Sequence, residues 1–126
     1  LMGLKRPLHT IIPGMISRKG NVIGSFGVMG GQYQAAGHAY LLSSLIDFGL
    51  SPQDALDIPR LFPNNGVIDI ENGFDLKAIE FLEKKGHKIN YPSFPIGGGQ
   101  IILFDDAENI MIGASDWRKD GVALGL

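Results

Sequence analysis

The placement of the turns constrains this chain more than any other feature. Two apolar stretches, one near each end, are each folded back on themselves by a short polar turn, and helical periodicity is confined to the region between them. Thr10-Ile11-Ile12 and Met15-Ile16 read as one strand broken at Pro13-Gly14. Arg18-Lys19-Gly20-Asn21 is the turn, and Val22 to Val28 is the return strand. Near the other end, Gln100 to Phe104 reads as a buried strand, Asp105 to Asn109 as a polar turn, and Ile110 to Ile112 as the partner strand. Between them, Gln34 to Phe48 has helical spacing, with Ala36, Tyr40, Leu41, Leu45 and Phe48 able to share a face and Gly49 suited to end the helix. Ser51-Pro52 opens a short second helix that Pro59 stops. Asp75 caps a third, with Phe74 and Ile79 placed to staple its entry, Leu76, Ile79, Phe81 and Leu82 on its apolar side, and Gly86 closing it. Strands joined by hairpins rather than by βαβ crossovers predict an α+β fold, a largely antiparallel sheet with helices on one face. The other face of that sheet is then apolar and needs a second layer.

Composition narrows the chemistry. At 126 residues and 44% hydrophobic, residues 1–126 form one domain or a piece of one. A net charge of −2, with no basic run interleaved with aromatics, gives no pull toward nucleic acid or acidic membranes. No apolar stretch reaches the roughly 20 residues of a membrane span, and Leu1 to His9 lacks the apolar core of a signal peptide. The absence of cysteine removes disulfides, thiolate metal sites and a Cys nucleophile, and leaves the compartment open. His9, His38 and His87 show no ligand spacing, so neither a metal nor another cofactor is expected.

Few residues remain that carry chemistry. Gly30-Gly31 lies between a strand and a helix. Paired glycines there bring backbone N–H groups close to a ligand at a helix N-terminus, which is how an oxyanion hole is built. From spacing alone the ordinary tight turn is the default reading. Gly-Gly-Gln, present at residues 30–32 and 98–100, also occurs in translation termination factors, but this acidic chain offers no basic surface for RNA. Ser43-Ser44 reads as helix surface or helix contact, and the 105–109 acidic run as a solvated turn. Asp116 and Arg118, beside the only Trp, could pin a loop, and a structural pair or a solvated tail is favoured over a catalytic role.

Four runs, in order and covering nearly the whole chain, resemble the γ-glutamyltranspeptidase family. They are Arg6-Pro7-Leu8-His9-Thr10 with Pro13, Gly30-Gly31 with the helix that follows, Asp47-Phe48-Gly49 through Ser51-Pro52-Gln53-Asp54-Ala55-Leu56-Asp57-Ile58-Pro59-Arg60, and Gly113-Ala114-Ser115-Asp116 through Gly121. The third is the most specific. The resemblance implies part of an N-terminal-nucleophile hydrolase with an αββα sandwich, in which a self-cleaved precursor exposes an N-terminal Thr. That Thr, activated by its own α-amine, attacks a γ-glutamyl amide. The resemblance also implies that Gly30 and Gly31 form the oxyanion hole and that His9 and Thr10 stand where family members bind the substrate α-carboxylate with a Ser-Ser pair. Its partners would be the rest of the small subunit and the large subunit of the same precursor.

Two departures follow. The nucleophilic Thr and the Asp that binds the substrate amine lie upstream of the Arg6 run in the family, so this sequence does not contain them. His9 replaces a small hydroxyl residue with a larger, ionisable one, which loosens the expectation of strict γ-glutamyl specificity. The leading expectation is the C-terminal part of the small subunit of an acyl-transferring amidohydrolase, inactive by itself. The alternatives are a fragment of a related acylase for other amides, such as glutaryl or β-lactam side chains, and a non-catalytic assembly module.

Overall fold

The computed structural model describes residues 12–125. In chain order the elements are β1 (Ile12–Arg18), β2 (Asn21–Met29), α1 (Tyr33–Ile46), α2 (Pro52–Asp57), β3 (Leu61–Asn64), β4 (Val67–Ile70), α3 (Leu76–Lys84), β5 (Ile89–Asn90), β6 (Gly98–Asp105), β7 (Ile110–Ser115) and a 3-10 turn at Trp117–Lys119. A four-stranded sheet in the order β1-β2-β6-β7 is antiparallel throughout. Its first hairpin closes on Lys19-Gly20, both at positive φ (49° and 87°), the twist that a two-residue loop needs to match its strands.

The expected break at Pro13-Gly14 does not occur. Pro13 pairs with Gly27 and Gly14 with Phe26, and the irregularity falls at Ile16/Ser17. Among the described residues β1 is an edge strand, where a residue without an N–H is tolerated because one side of the ladder is unpaired. Gly14 is there for space: a Cβ on it would lie 2.5 Å from Phe26 Cζ.

α1 and α2 pack on one face of this sheet. Phe26, Val28, Ile101 and Ala114 from the strands meet Tyr33 and Leu41 of α1, Ala55 and Leu56 of α2, and Ile96. α1 is rotated from the expected face. It buries Tyr33, Gln34, Gly37, Leu41 and Ser44, while Ala36 is exposed and Phe48 is 76% exposed. Gly37 sets the rotation, since a Cβ on it would stand 2.6 Å from both Val28 Cγ1 and the Tyr33 ring. A period-counting argument assigns glycine to no face and so misses it. α2 begins as read, with the Ser51 hydroxyl accepting from Asp54 N and Pro52 in the first turn.

β3 and β4 form a hairpin that the apolar pattern alone does not show. Its signal is the dipeptide Asn65-Gly66, both residues at positive φ, a strong local mark of a two-residue hairpin loop. β4 then pairs in parallel with β5 through α3, so the described residues contain one βαβ crossover after all. Parallel neighbours cannot be joined by a tight turn, and α3 supplies the crossover. Asp75 caps α3 by accepting from Lys77 N, but the helix buries no residue, and Leu76 and Phe81 stay exposed.

β6 is not buried throughout as expected, but alternates. Ile101 points into the core, while Ile102 and Phe104 are 54% and 38% exposed on the far face. The strand register places Met15 and Ile102 on that far face, together with Phe104 and its partner Met111. The sheet thus has helices on one face and an uncovered apolar surface on the other, as the sequence predicts.

Candidate active site

Gly30 and Gly31, followed by Gln32, connect β2 to α1. Both are exposed and both have positive φ, 137° and 59°. Their carbonyls are engaged by the helix: Gly30 O accepts from Tyr33 N (3.1 Å) and Gly31 O from Gln34 N (3.2 Å). The reversal that these bonds close needs φ values that residues with a Cβ rarely adopt. A side chain on Gly30 would meet Gly97 Cα at 3.0 Å, whereas one on Gly31 would have open space. Gly31 is therefore glycine for its backbone angle and Gly30 for angle and space together. The turn stands at the N-terminus of a 14-residue helix, where unpaired N–H groups favour negative charge.

Tyr33, the first residue of α1, fixes the turn from below. Its ring is 3% exposed and packs edge-on against Phe62 at 5.5 Å. Burial pushes its hydroxyl up to about 12, so it remains a neutral phenol. Tyr40, two turns further along, donates its hydroxyl to Pro59 O at 2.9 Å and ties α1 to the end of α2.

Behind the turn lies a buried network of two arginines and two carboxylates. Asp116 has no exposed surface. It accepts from Arg60 Nη2 (2.6 Å), Gly99 N (2.7 Å), Arg118 N (3.0 Å) and Arg118 Nη1 (3.1 Å). Glu71 accepts from Arg118 Nε (2.8 Å) and Nη2 (2.5 Å), from Arg60 N (3.0 Å) and from Ile96 N (2.8 Å). The guanidinium donors that remain reach backbone carbonyls: Arg60 those of Ile96 and Leu56, Arg118 those of Leu56 and Ile58. Two cations face two anions, and each carboxylate is saturated. That arrangement offsets the cost of removing four charges from water. Burial alone raises the Asp116 carboxyl, but Arg60 and the hydrogen bonds it accepts outweigh this and hold it below the usual carboxylate range. Glu71 is also lowered: burial raises it, and the Arg118 hydrogen bonds more than reverse that. Arg118 is lowered by burial and raised further by Glu71 and Asp116, so it stays charged.

The burial of Asp116 and Arg118 removes the solvated tail that the sequence left open, and the two thus form a structural pair. Arg60 and Glu71 complete it, and sequence reasoning did not connect them. Arg60 was visible only as the end of the Asp57-Ile58-Pro59-Arg60 run, and nothing marked Glu71. Ser43 and Ser44 are helix contacts, donating to Asp47 Oδ2 and Tyr40 O. His38 lies against the Phe26 ring with Nδ1 2.7 Å from Gln34 O. Asp105 accepts from Ala107 N and Glu108 N, which closes the acidic turn on itself. His9 and Thr10 lie outside the described residues.

The γ-glutamyltranspeptidase family profile matches residues 1–126, and the chain belongs to that family. It is similar to the glutathione hydrolase-like YwrD proenzyme of Bacillus subtilis (strain 168), with 28% identity over 130 residues, covering 97% of this chain and 25% of that protein. The crystal structure of cephalosporin acylase from Bacillus halodurans shares 40% identity at a TM-score of 0.80, covering 87% of this chain and 21% of that one. The γ-glutamyltranspeptidase from Pseudomonas nitroreducens complexed with L-DON superposes with a TM-score of 0.84 at 22% identity, covering 96% of this chain and 64% of that one. The α+β fold is that of the N-terminal-nucleophile hydrolases in this family. The chain spans about a quarter of the length of the curated relative.

Proposed function

We propose that this chain is the C-terminal part of the small subunit of a γ-glutamyltranspeptidase-like amidohydrolase, and that it supplies the oxyanion hole and part of the acyl pocket. The observation that carries this reading is the exposed Gly30-Gly31 turn, with both residues at positive φ at the head of α1. Its forward N–H groups bind the tetrahedral oxyanion as charge develops on the amide oxygen. The attacking Thr and its α-amine come from outside these 126 residues, and so does the group that binds the substrate amine. The apolar face around Met15, Ile102, Phe104 and Met111 packs on the sheet contributed by the rest of the enzyme, completing the αββα sandwich.

In this mechanism the Thr hydroxyl loses its proton to the α-amine and adds to the amide carbonyl, and the two glycine amides stabilise the oxyanion. The protonated amine then protonates the leaving nitrogen. Water, or an acceptor amine, resolves the acyl-enzyme.

A second reading concerns the acyl group alone. Identity to a cephalosporin acylase is 40%, against 22% to a γ-glutamyltranspeptidase of the same fold, and His9 departs from the Ser-Ser pair. Both favour a related acylase acting on other amides. One experiment tests both readings: kcat/KM of the full enzyme on γ-glutamyl, glutaryl and cephalosporin side-chain amides. Preference for the first supports γ-glutamyl transfer, and preference for either other supports the acylase. Turnover of none of them, in a processed enzyme, rejects the amidohydrolase assignment. The 126-residue chain alone should turn over none of them.

A further inference from the structure

We infer that Gly97 is a positioning residue for the Gly30-Gly31 turn, held in place by the buried ion-pair network. Its catalytic consequence rests on the oxyanion reading of that turn.

The inference comes from how tightly a four-residue stretch is held. Ile96 is gripped on both sides of its peptide: its N–H donates to Glu71 Oε1 at 2.8 Å, and its carbonyl accepts from Arg60 Nη1 at 3.0 Å. Gly99 is gripped in the same way, donating to Asp116 Oδ2 at 2.7 Å and accepting from Asp116 N at 3.1 Å. Glu71, Arg60 and Asp116 therefore fix both ends of a segment that contains only Gly97 and Gly98 between its anchors. Gly97 has φ 67° and is pressed into the base of the Gly30 turn. A Cβ on it would stand 2.5 Å from Tyr33 Cδ1 and 2.8 Å from Met29 O, while Gly97 Cα lies 3.0 Å from where a Gly30 Cβ would be. The contact is with the buried Tyr33 ring and with backbone at Met29 and Gly30, and neither a ring held in the core nor a main chain yields easily to a displacement. An oxyanion donor is effective only if it is already in place when charge develops, and displacements of about 1 Å cost catalysis heavily. The network therefore has a reach beyond stability: through Gly97 it sets the height of the turn.

The test uses the full enzyme with Gly97→Ala, and with Gly66→Ala as a control for strain. Gly66 also has positive φ (83°), but nothing lies within 4 Å of its missing Cβ, and it sits in the β3–β4 loop. The readout is hydrogen exchange resolved to the Tyr33 and Gln34 amides, which close the turn, together with kcat and KM. Gly97→Ala should speed exchange at these two amides by about tenfold or more relative to the control. It should lower kcat by about tenfold or more while KM stays within about twofold. No change at these amides, or an equal change in both variants, would overturn the inference. Faster exchange with undiminished kcat would leave the positioning intact and remove the oxyanion reading instead. Should Gly97→Ala fail to fold, Glu71→Gln loosens the Ile96 anchor without adding volume and must give the same local exchange signature.

Discussion

Arg60 and Asp116, 56 residues apart in the chain, meet at 2.6 Å with their side chains 4% and 0% exposed. The pair joins the end of α2 to the segment after β7. With Arg118 and Glu71 it closes the side of the domain on which the Gly30-Gly31 turn stands. A buried charge whose partner is removed costs far more than the pair contributes when intact. Asp116→Ala leaves two guanidiniums short of an acceptor and strands Gly99 N. It should destabilise the domain by about 3–5 kcal/mol, read as a drop in urea midpoint. Asp116→Asn keeps one acceptor oxygen and should cost less. Equal losses would mean that the carboxylate charge, and not the retained shape and oxygen, is what matters there.

The same network sets an acid limit. Asp116 and Glu71 both titrate below the ordinary carboxylate range when folded. Near pH 4, therefore, the unfolded chain binds more protons than the folded one, and stability rises with pH. Their contribution is fully present above the unfolded values, about 4, and is lost as pH falls through the lowered folded ones. Arg118 is shifted up, so its contribution persists throughout the accessible alkaline range. Urea midpoints of the wild type should fall steeply below about pH 4, and Glu71→Gln should flatten that fall. An unaltered slope in the variant would remove Glu71 from the account.

Gly31→Val tests the turn with the least collateral damage, because the space around its missing Cβ is open and only φ (59°) is violated. In the full enzyme kcat should drop by about 10²-fold with KM little changed, the pattern of a lost oxyanion donor. Normal kcat would return the pair to being an ordinary turn.

Gly37→Ala sets two opposing effects against each other. Alanine in a helix interior gains about 1 kcal/mol over glycine. The new Cβ, however, would stand 2.6 Å from Val28 Cγ1 and from the Tyr33 ring, and overpacking of that kind costs about 1–3 kcal/mol. The clash should win, lowering the thermal midpoint. A stabilised variant would show that α1 can lift off β2 freely.

Replacing His9-Thr10 with Ser-Ser in the full enzyme should raise kcat/KM for γ-glutamyl substrates relative to other amides. An unchanged ratio would remove His9 from the specificity determinants.

What the sequence determined by itself is what is local. Ser51 and Asp75 cap their helices as read, because the accepting oxygen and the N–H it satisfies are two or three residues apart. Lys19-Gly20 turns the first hairpin because the φ values of a two-residue loop depend on those residues alone. Asn65-Gly66 was equally legible by that rule. The alternation of β6 and the buried face of α1 were not, because which side of a strand or helix is covered depends on what packs there. Gly37, which decides the rotation of α1, has no side chain for a hydrophobic pattern to register. The candidate site divides along the same line. The glycine pair and the Asp116–Arg118 neighbourhood stand out in the sequence. That Arg60 and Glu71 complete the network, and that Gly97 lies beneath Gly30, was decided only when the tertiary structure brought distant segments together, because an ion pair or a backbone contact over that separation leaves no periodic trace in the chain.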